Sequence, residues 1–274
     1  MPVSVLEAQV CGMGKTHMPV DLNADMGEGF GPWVMGDDSA MLDIITSANV
    51  ACGFHAGDPL IMANVAREAQ AKGVSIGAHP GFNDLWGFGR RAIRGDSPSD
   101  TATMVAYQIG AFQSVAALAG HRVTHVKLHG ALSNIAAEDD DLARALAGAI
   151  RAVDRDLVFL VMPGTALERA GDAAGLPLAR EIFADRTYDD SFNLTSRKIA
   201  GAVLHQPDAI VAHVMRMVEE GAIITTLGKR LKVAIDSICV HGDNPQAVAA
   251  AAAVRGALTQ AGIEVRPFAS RKPR

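Results

Sequence analysis

Four short segments of the sequence carry a histidine beside or near glycine, and each follows an apolar run typical of a buried strand. The histidines are His55, His79, His129 and His241. A strand that ends in a glycine turn exposes its last polar side chain, and parallel sheets and barrels bind ligands beyond the carboxyl ends of their strands. Convergence of these ends would bring imidazoles, carboxylates and a lysine around one cavity. The pattern therefore predicts an enzyme active site.

The first strand candidate carries alternating polar residues. Side chains alternate along a strand, so Asp21, Asn23 and Asp25 fall on one face and the apolar residues between them on the other. A run rich in Asn, Asp and Gly also fits an ordinary polar turn. The carboxylate of Glu28, which lies among glycines, favours a functional segment.

A second alternating run places His125, Lys127 and His129 on one strand face. A lysine and two histidines on a buried face are costly unless they serve one another or a substrate. His125 lies deeper in the strand and is predicted to be a core histidine with its hydrogen bonds satisfied. Lys127 and His129 lie nearest the strand end and are predicted to be functional.

Two of the histidine turns share a second feature, an aspartate that follows closely. Asp58 follows His55 and is placed to cap the next helix, and Asp243 follows His241. Each turn alone fits a helix cap, but the coincidence of both is more specific. Three further histidines are expected at the surface: His121, His205 and His213.

Cationic residues follow later strand ends. Asp185 and Arg186 come directly after a predicted strand, and Arg197 comes soon after. A guanidinium presents paired donors that match a carboxylate, so these residues either anchor an anionic substrate or pair with local acids. Arg91 lies in a loop that either covers the site or is solvated. Imidazole and carboxylate ligands leave a metal ion open, although no established metal-binding spacing is present.

Composition limits the class of protein. The chain has 274 residues, a net charge of −5 and three cysteines at unrelated spacings, so a nucleic-acid surface, an anionic-membrane surface and a disulfide framework are not expected. No apolar stretch is long enough for a membrane helix, and we expect a cytoplasmic protein. The string at residues 12–16 resembles the end of a phosphate-binding loop but lacks its leading glycine, so no ATP site is expected there.

The elements that must position these residues alternate strand and helix, which predicts one irregular α/β barrel of the TIM type with seven or eight strands. Residues 18–268 are expected to form this single domain, residues 1–17 a disordered leader and residues 269–274 a basic tail. Residues 223–235 break the rhythm and are predicted to form an extra hairpin or another excursion near the last units. The predicted strands are 20–23, 48–52, 74–78, 123–128, 157–162, 180–184, 237–240 and 263–267, and the predicted helices are 59–72, 99–119, 139–153, 165–174, 207–220 and 245–261.

Several long strings resemble the LamB/YcsF family over nearly the whole chain, from about Val20 to Val265. They are VDLNADMGEGFG, SANVACGFHAGDP, GVSIGAHPGFND, GFGRR, VKLHGAL, FADRTY and CVHGDNP, in this order. The resemblance implies a seven-stranded barrel related to glycoside hydrolases and polysaccharide deacetylases. It also implies ATP-dependent opening of 5-oxoproline (pyroglutamate) to L-glutamate, shared with two partner subunits, B and C. The chain departs from the usual family residues at Leu128, Ser133 and the segment Leu194–Arg197.

The resemblance and the residue patterns together give a hypothesis for the site. ATP is used by the complex and is not expected to bind this chain alone. Protons and oxyanion charge would be managed by a catalytic group, namely Asp25, His55, Lys127, His129 and Asp243. The lactam would be held by a substrate-binding group, namely Asn23, Glu28, His79, Arg91, Asp185, Arg186, Arg197 and His241.

Two other functions fit the same residues. A free-standing, metal-dependent deacetylase or amidohydrolase is suggested by the barrel and its histidine-rich and aspartate-rich end, and it would act without ATP or partners. A non-catalytic subunit that carries the lactam or holds the partners together is the other alternative. It predicts that changing His129 or Asp25 leaves turnover nearly intact.

Overall fold

Seven parallel strands close into a barrel in the computed structural model, which describes residues 18–268. The predictions for a leader at 1–17 and a basic tail at 269–274 lie outside the described residues. The barrel strands are β1 (Asp21–Met26), β2 (Ser47–Ala51), β3 (Ser75–His79), β4 (Val123–Lys127), β5 (Val158–Val161), β6 (Leu178–Phe183) and β9 (Ser237–Val240). Around the barrel the order is β1-β2-β3-β4-β5-β6-β9, and β9 pairs with both β6 and β1.

Helices cover the outside of the barrel and confirm the predicted alternation. They are α1 (Asp38–Leu42), α2 (Pro59–Lys72), α3 (Pro98–Leu118), α4 (Gly130–Ala136), α5 (Asp140–Val153), α6 (Ala166–Ala173), α7 (Pro207–Glu220) and α8 (Pro245–Gln260). The Asp58 side chain accepts the Leu60 and Ile61 N–H groups at 2.8 and 3.0 Å, so it caps α2 as predicted. The short helices α1 and α4 were not predicted.

The predicted hairpin is present outside the barrel, and the eighth predicted strand is wrong. β7 (Ala222–Ile224) pairs antiparallel with β8 (Arg230–Lys232). Residues 263–267 form only a single bridge, between Val20 and Val265. Because β9 already hydrogen-bonds to strands on both sides, the barrel is closed at seven strands and offers no edge for an eighth.

The barrel interior is polar, and the face that packs against the helices is apolar. On β1 the predicted alternation is confirmed: Asp21 and Asn23 point inward, while Leu22 and Ala24 are fully buried in the surrounding hydrophobic core. Inward-facing polar groups of neighbouring strands meet in layers, since Asp21 is in register with Ser237. Polar side chains therefore reach the barrel axis at several depths.

His125 is the core histidine that the sequence predicts. Its ring is fully buried, with Nε2 3.0 Å from Asn49 Oδ1 and Nδ1 2.9 Å from Thr124 Oγ1. Burial lowers its pKa to about 3, so the ring is neutral. A Cβ added at Gly77 would lie 2.2 Å from this ring, which explains glycine at that place on β3.

The three histidines expected at the surface divide into two groups. His205 is exposed. His121 and His213 are only partly exposed, and a ring nitrogen of each donates to a backbone carbonyl, of Val74 at 2.9 Å and Arg186 at 3.0 Å. These two hydrogen bonds stabilise the local backbone structure. No helix within residues 18–268 is both long and apolar enough to cross a membrane.

Candidate active site

One large cavity opens at the carboxyl end of the barrel strands, with a volume of about 1170 Å³. Most of the predicted site residues line it, so the predicted convergence of strand ends is present in the structure. The predicted residues that line it are Asp25, Glu28, His79, Lys127, His129, Arg186, Arg197, His241 and Asp243.

Lys127 lies at the floor of this cavity and is the buried cation of the site. Its Nζ is 3.1 Å from each of Asp25 Oδ1, Glu181 Oε2 and Cys239 Sγ. Burial opposes the charge of Lys127, but attraction to Asp25, Cys239 and Glu181 outweighs it and holds the pKa well above its usual value. Lys127 is therefore a permanent ammonium group that can stabilise negative charge.

The two carboxylates beside Lys127 differ in their pKa. For Asp25, burial alone would raise the pKa, but His79 and Lys127 together hold it well below its usual value. For Glu181, burial dominates and raises the pKa despite Lys127. Asp25 is thus the stable anion, and its side chain is 17% exposed toward the cavity.

Three imidazoles form a tight cluster on one wall. The rings of His55 and His129 stack with 3.6 Å between centroids and 3° between planes. His79 Nε2 lies 3.0 Å from His129 Nδ1. Glycine is required beside the stack, because a Cβ at Gly89 would come within 2.7 Å of both stacked residues, and its φ is +60°.

Glu28 faces this cluster from the cavity side. Its Oε1 is 3.4 Å from His55 Nε2 and 3.6 Å from His129 Nδ1, and neither distance makes a hydrogen bond. Burial, followed by repulsion from Asp25, raises the pKa of Glu28. His55 is fully buried against His129 and Glu28 and does not line the cavity, so it is not placed to contact a substrate directly, in contrast to its predicted catalytic role.

Asp185 and His241 form a separate pair at the mouth of the cavity. Their Oδ2 and Nδ1 atoms are 3.0 Å apart. Burial disfavours a charged His241, but attraction to Asp185, with help from Asp25 and Asp243, outweighs it and raises the pKa of the imidazole. An adjoining cavity of about 350 Å³ contacts the same pair and Asp243. His241 thus faces the main cavity with Asp185 behind it.

The arginines do not all lie where the sequence predicts. Arg91 lies outside the cavity, where its side chain is 64% exposed and bound to Asp84, and the neighbouring Arg90 lines the cavity instead. Arg186 is buried and donates to the Thr195 carbonyl at 2.7 Å, so it mainly ties down the loop that follows β6. Arg197 is exposed at the cavity and forms no ion pair within residues 18–268.

Asn23 also differs from its prediction as a substrate-binding residue. It is fully buried below the cavity, with Nδ2 2.7 Å from Ser237 Oγ, and its Oδ1 accepts from Asn49 at 2.8 Å and Lys127 at 3.3 Å. Its hydrogen-bonding capacity is used inside the barrel. Asn23 therefore positions Lys127 and does not face a ligand.

Sequence reasoning missed two groups that contact Lys127. Glu181 lies between Arg180 and Ile182 on a strand of the predicted barrel, and alternation along the strand could have placed its carboxylate on the inner face. Cys239 occupies the inner face of β9, and its register opposite Asn23 could not be read from the sequence. Both side chains are almost fully buried.

Comparison with known proteins identifies the family. A model described as the LamB/YcsF family matches residues 20–273. A protein from Rhodopseudomonas palustris (strain BisB18), named as the A subunit of 5-oxoprolinase, is 59% identical over 250 residues, which cover 91% of this chain and 98% of the relative. A protein of the same name from Gluconobacter oxydans is 53% identical, with 92% and 98% covered.

A solved structure agrees with these relatives. The crystal structure of a lactam utilization protein from Thermus thermophilus is 43% identical in sequence. It has a TM-score of 0.85 and covers 91% of this chain and 99% of its own. The resemblance read from the sequence strings is confirmed. The chain belongs to the LamB/YcsF family.

Proposed function

We propose that this chain is the A subunit of an ATP-dependent 5-oxoprolinase, which opens 5-oxoproline or a closely related lactam to the amino acid. One observation carries the proposal: the ammonium of Lys127 is held beside the ionised Asp25 at the floor of a cavity whose mouth carries Arg197, which forms no ion pair within residues 18–268. The relatives named as A subunits of 5-oxoprolinase support the choice of a cyclic amide as substrate.

Substrate orientation follows from charge. The carboxylate of 5-oxoproline is an anion, and Arg197 offers two parallel N–H donors that match it. With the carboxylate bound at Arg197, the lactam ring points down toward Lys127. The ammonium of Lys127 then faces the lactam oxygen and stabilises the negative charge of the phosphoryl group that ATP transfers to this oxygen, as donors of an oxyanion site do.

Proton transfer is divided between the carboxylate of Asp25 and the imidazole of His241. Asp25 is ionised before the reaction, so it accepts a hydrogen bond from the attacking water, orients it and takes its proton as the new C–O bond forms. His241 has a raised pKa and is held by Asp185, so it is the group suited to protonate the ring nitrogen as the C–N bond breaks. Lys127 stays protonated throughout and takes part only electrostatically.

Activation by ATP is proposed to occur with partner subunits B and C. An unstrained lactam is a poor electrophile, and phosphorylation of its oxygen by ATP supplies the driving force for opening. The string at residues 12–16, which lacks the leading glycine of a phosphate-binding loop, lies outside the described residues. We place the complex in the cytoplasm, where ATP is available and the buried thiols of Cys52 and Cys239 stay reduced.

Reconstitution tests the proposal. The chain is mixed with purified subunits B and C, and glutamate release from 5-oxoproline is measured with and without ATP. We expect release only when all three chains and ATP are present, and no ATP binding to the isolated chain by calorimetry. Lactam opening by this chain alone, without ATP, would instead identify a free-standing hydrolase.

A further inference from the structure

The histidine cluster contains a hydrogen-bond conflict that neutral rings cannot resolve. His79 Nδ1 lies 2.8 Å from the Lys127 carbonyl, and His129 Nε2 lies 2.8 Å from the Phe88 carbonyl. A carbonyl oxygen only accepts, so each of these nitrogens carries its ring's proton. The remaining nitrogens, His79 Nε2 and His129 Nδ1, are then both lone-pair acceptors, yet they face each other at 3.0 Å. A proton that makes one of the two rings an imidazolium, or a metal ion between or beside them, would remove this conflict.

The same space contains further buried polar atoms without partners. Glu28 Oε1 and both ring nitrogens of His55 are buried and lack hydrogen-bond partners among the described residues. Ligand atoms of Glu28, His55, His79 and His129 all lie within 4.8 Å of one another. Unpaired buried polar atoms are costly in free energy, so several of them in one place indicate that an ion or another polar partner binds there.

We propose that Glu28, His55, His79 and His129 bind one divalent transition-metal ion of the zinc class. Ligands about 2.1 Å from one ion lie about 3.0–3.4 Å from their nearest neighbours. The separations here are close to that range: 3.0 Å for His79–His129, 3.4 Å for His55–Glu28 and 3.6 Å for His129–Glu28.

The donor set and its surroundings determine the metal class. Three imidazole nitrogens and one carboxylate oxygen suit Zn²⁺, Co²⁺ or Fe²⁺, whereas Mg²⁺ and Ca²⁺ prefer oxygen ligands. Metal-binding histidines usually donate their other N–H to a carbonyl or carboxylate, and Lys127 and Phe88 supply such carbonyls here.

The site is inferred from these residues alone, and only its use in catalysis rests on the proposed function. Asp25 Oδ2 lies 3.3 Å from His79 Nε2, so the ion would be adjacent to the carboxylate that orients water. A bound cation supplies Lewis acidity and lowers the pKa of its water. Asp25 and Glu181 already pair with the ammonium of Lys127. Glu28 is therefore not needed to balance that charge, and its carboxylate is available to the ion.

Metal binding by the full chain tests the proposal directly. Protein stripped with a chelator is titrated with Zn²⁺ against a chromophoric competitor, and with Co²⁺ while visible absorption is recorded. We expect one equivalent to bind, with Mg²⁺ unable to displace it. In the wild-type chain, 15N spectra of the imidazoles should show shifts of three histidines on addition of Zn²⁺.

Variants locate the ion. Glu28→Gln keeps the shape of the side chain and removes its charge, and His55→Ala removes one ligand behind the cavity wall. Each should weaken Zn²⁺ binding by at least about a hundredfold, since loss of even an outer hydrogen-bond partner costs about 10–100-fold. His205→Ala, at an exposed histidine, is the matched control and should bind as the wild type does. Circular dichroism of the metal-free proteins checks folding.

Two results would overturn the proposal: no saturable binding of Zn²⁺ or Co²⁺ by the wild-type chain, or binding that both cluster variants leave unchanged. If the 15N spectra show a single proton shared between His79 and His129 and no metal binds, the proposal is likewise overturned. The function is tested separately by glutamate release. Turnover by a chain that binds no metal refutes the metal site alone, and metal binding without turnover by the complex refutes the proposed function alone.

Discussion

Asp21 and Asp25 lie four residues apart on the inward face of β1, and their surroundings differ in kind. Asp21, at the lower end, accepts hydrogen bonds from the hydroxyls of Thr46 at 2.7 Å and Ser47 at 2.6 Å, and from that of Ser237. It is fully buried. Asp25, at the upper end, contacts ionisable groups and opens on the cavity.

The difference separates a stabilising polar layer from a reactive one. In the lower layer the hydroxyl groups of three residues are aimed at Asp21, so this network ties β1 to its neighbours β2 and β9. In the upper layer, Asp25 contacts the ionisable side chains of Lys127 and His79, and its own side chain is partly exposed to the cavity. The same side chain on the same face therefore supports the fold at one depth and chemistry at another.

The largest expected effect tests the upper layer. Asp25→Asn removes the stable anion that orients water beside Lys127, so turnover of the reconstituted complex should fall by at least about a hundredfold, the low end of the range for general acid–base catalysis. Glutamate release under saturating 5-oxoproline measures it. The same substitution at Asp21 should leave turnover per folded molecule close to wild type. Near-normal turnover of Asp25→Asn, with the complex intact, would move the chemistry to another subunit.

Stability should reverse the order of these two variants. Asp21→Asn replaces a carboxylate oxygen that accepts buried hydroxyl protons by an N–H₂ donor, and each buried group left unsatisfied costs about 1–3 kcal/mol. We expect its free energy of unfolding in urea to fall by about 2 kcal/mol. Asp25→Asn should lose less, because Lys127 keeps Glu181 as a partner. Equal losses would mean that both layers are structural.

A third comparison uses two arginines at the mouth of the barrel. Arg197→Met removes the unpaired guanidinium at the cavity, so affinity for 5-oxoproline should weaken more than tenfold, for a loss of about 2 kcal/mol in a charge-assisted pair. Arg91→Met is the matched control, because Arg91 binds Asp84 outside the cavity. Calorimetric titration of each variant with 5-oxoproline measures the effect. Equal weakening in both would refute the carboxylate clamp.

Local sequence patterns correctly predicted the structural features that depend only on neighbouring residues. Helix α2 begins and ends where predicted, because Asp58 and Pro59 define its start and Gly73, with φ +70°, its end. Alternation on β4 correctly assigned His125 to the core and brought Lys127 to the cavity. These features depend on side-chain period and capping, which need only a few residues of context.

Depth and partner choice could not be predicted, because they depend on pairing between distant strands. Asn23 was expected to contact substrate, but its register with Ser47 and Cys239 places it one layer below the cavity. Arg90 and Arg91 are adjacent in a loop, and the position of Asp84 decides which one turns away. No local pattern distinguishes such neighbours.

The smallest expected effect concerns pH and the His241–Asp185 pair. The pKa of Asp185 is lowered: burial would raise it, but His241 outweighs burial. That contribution to stability is present above the unfolded value of about 3.9 and is lost as pH falls through the folded pKa. The pKa of His241 is raised, so its contribution is full below the unfolded value of about 6.5 and is lost as pH rises through the folded pKa.

The pair should therefore stabilise the fold most between about pH 4 and pH 6.5, where both groups are charged in the folded chain. Urea unfolding of wild type and His241→Gln across this range and up to pH 9 measures it. We expect the stability advantage of the wild type to shrink steadily above about pH 6.5 as His241 loses its proton. His205→Gln, at an exposed histidine without an ion pair in residues 18–268, is the control and should show no such trend. An advantage that grows with pH would mean that His241 is neutral in the folded chain, and it would remove His241 as the acid that protonates the ring nitrogen.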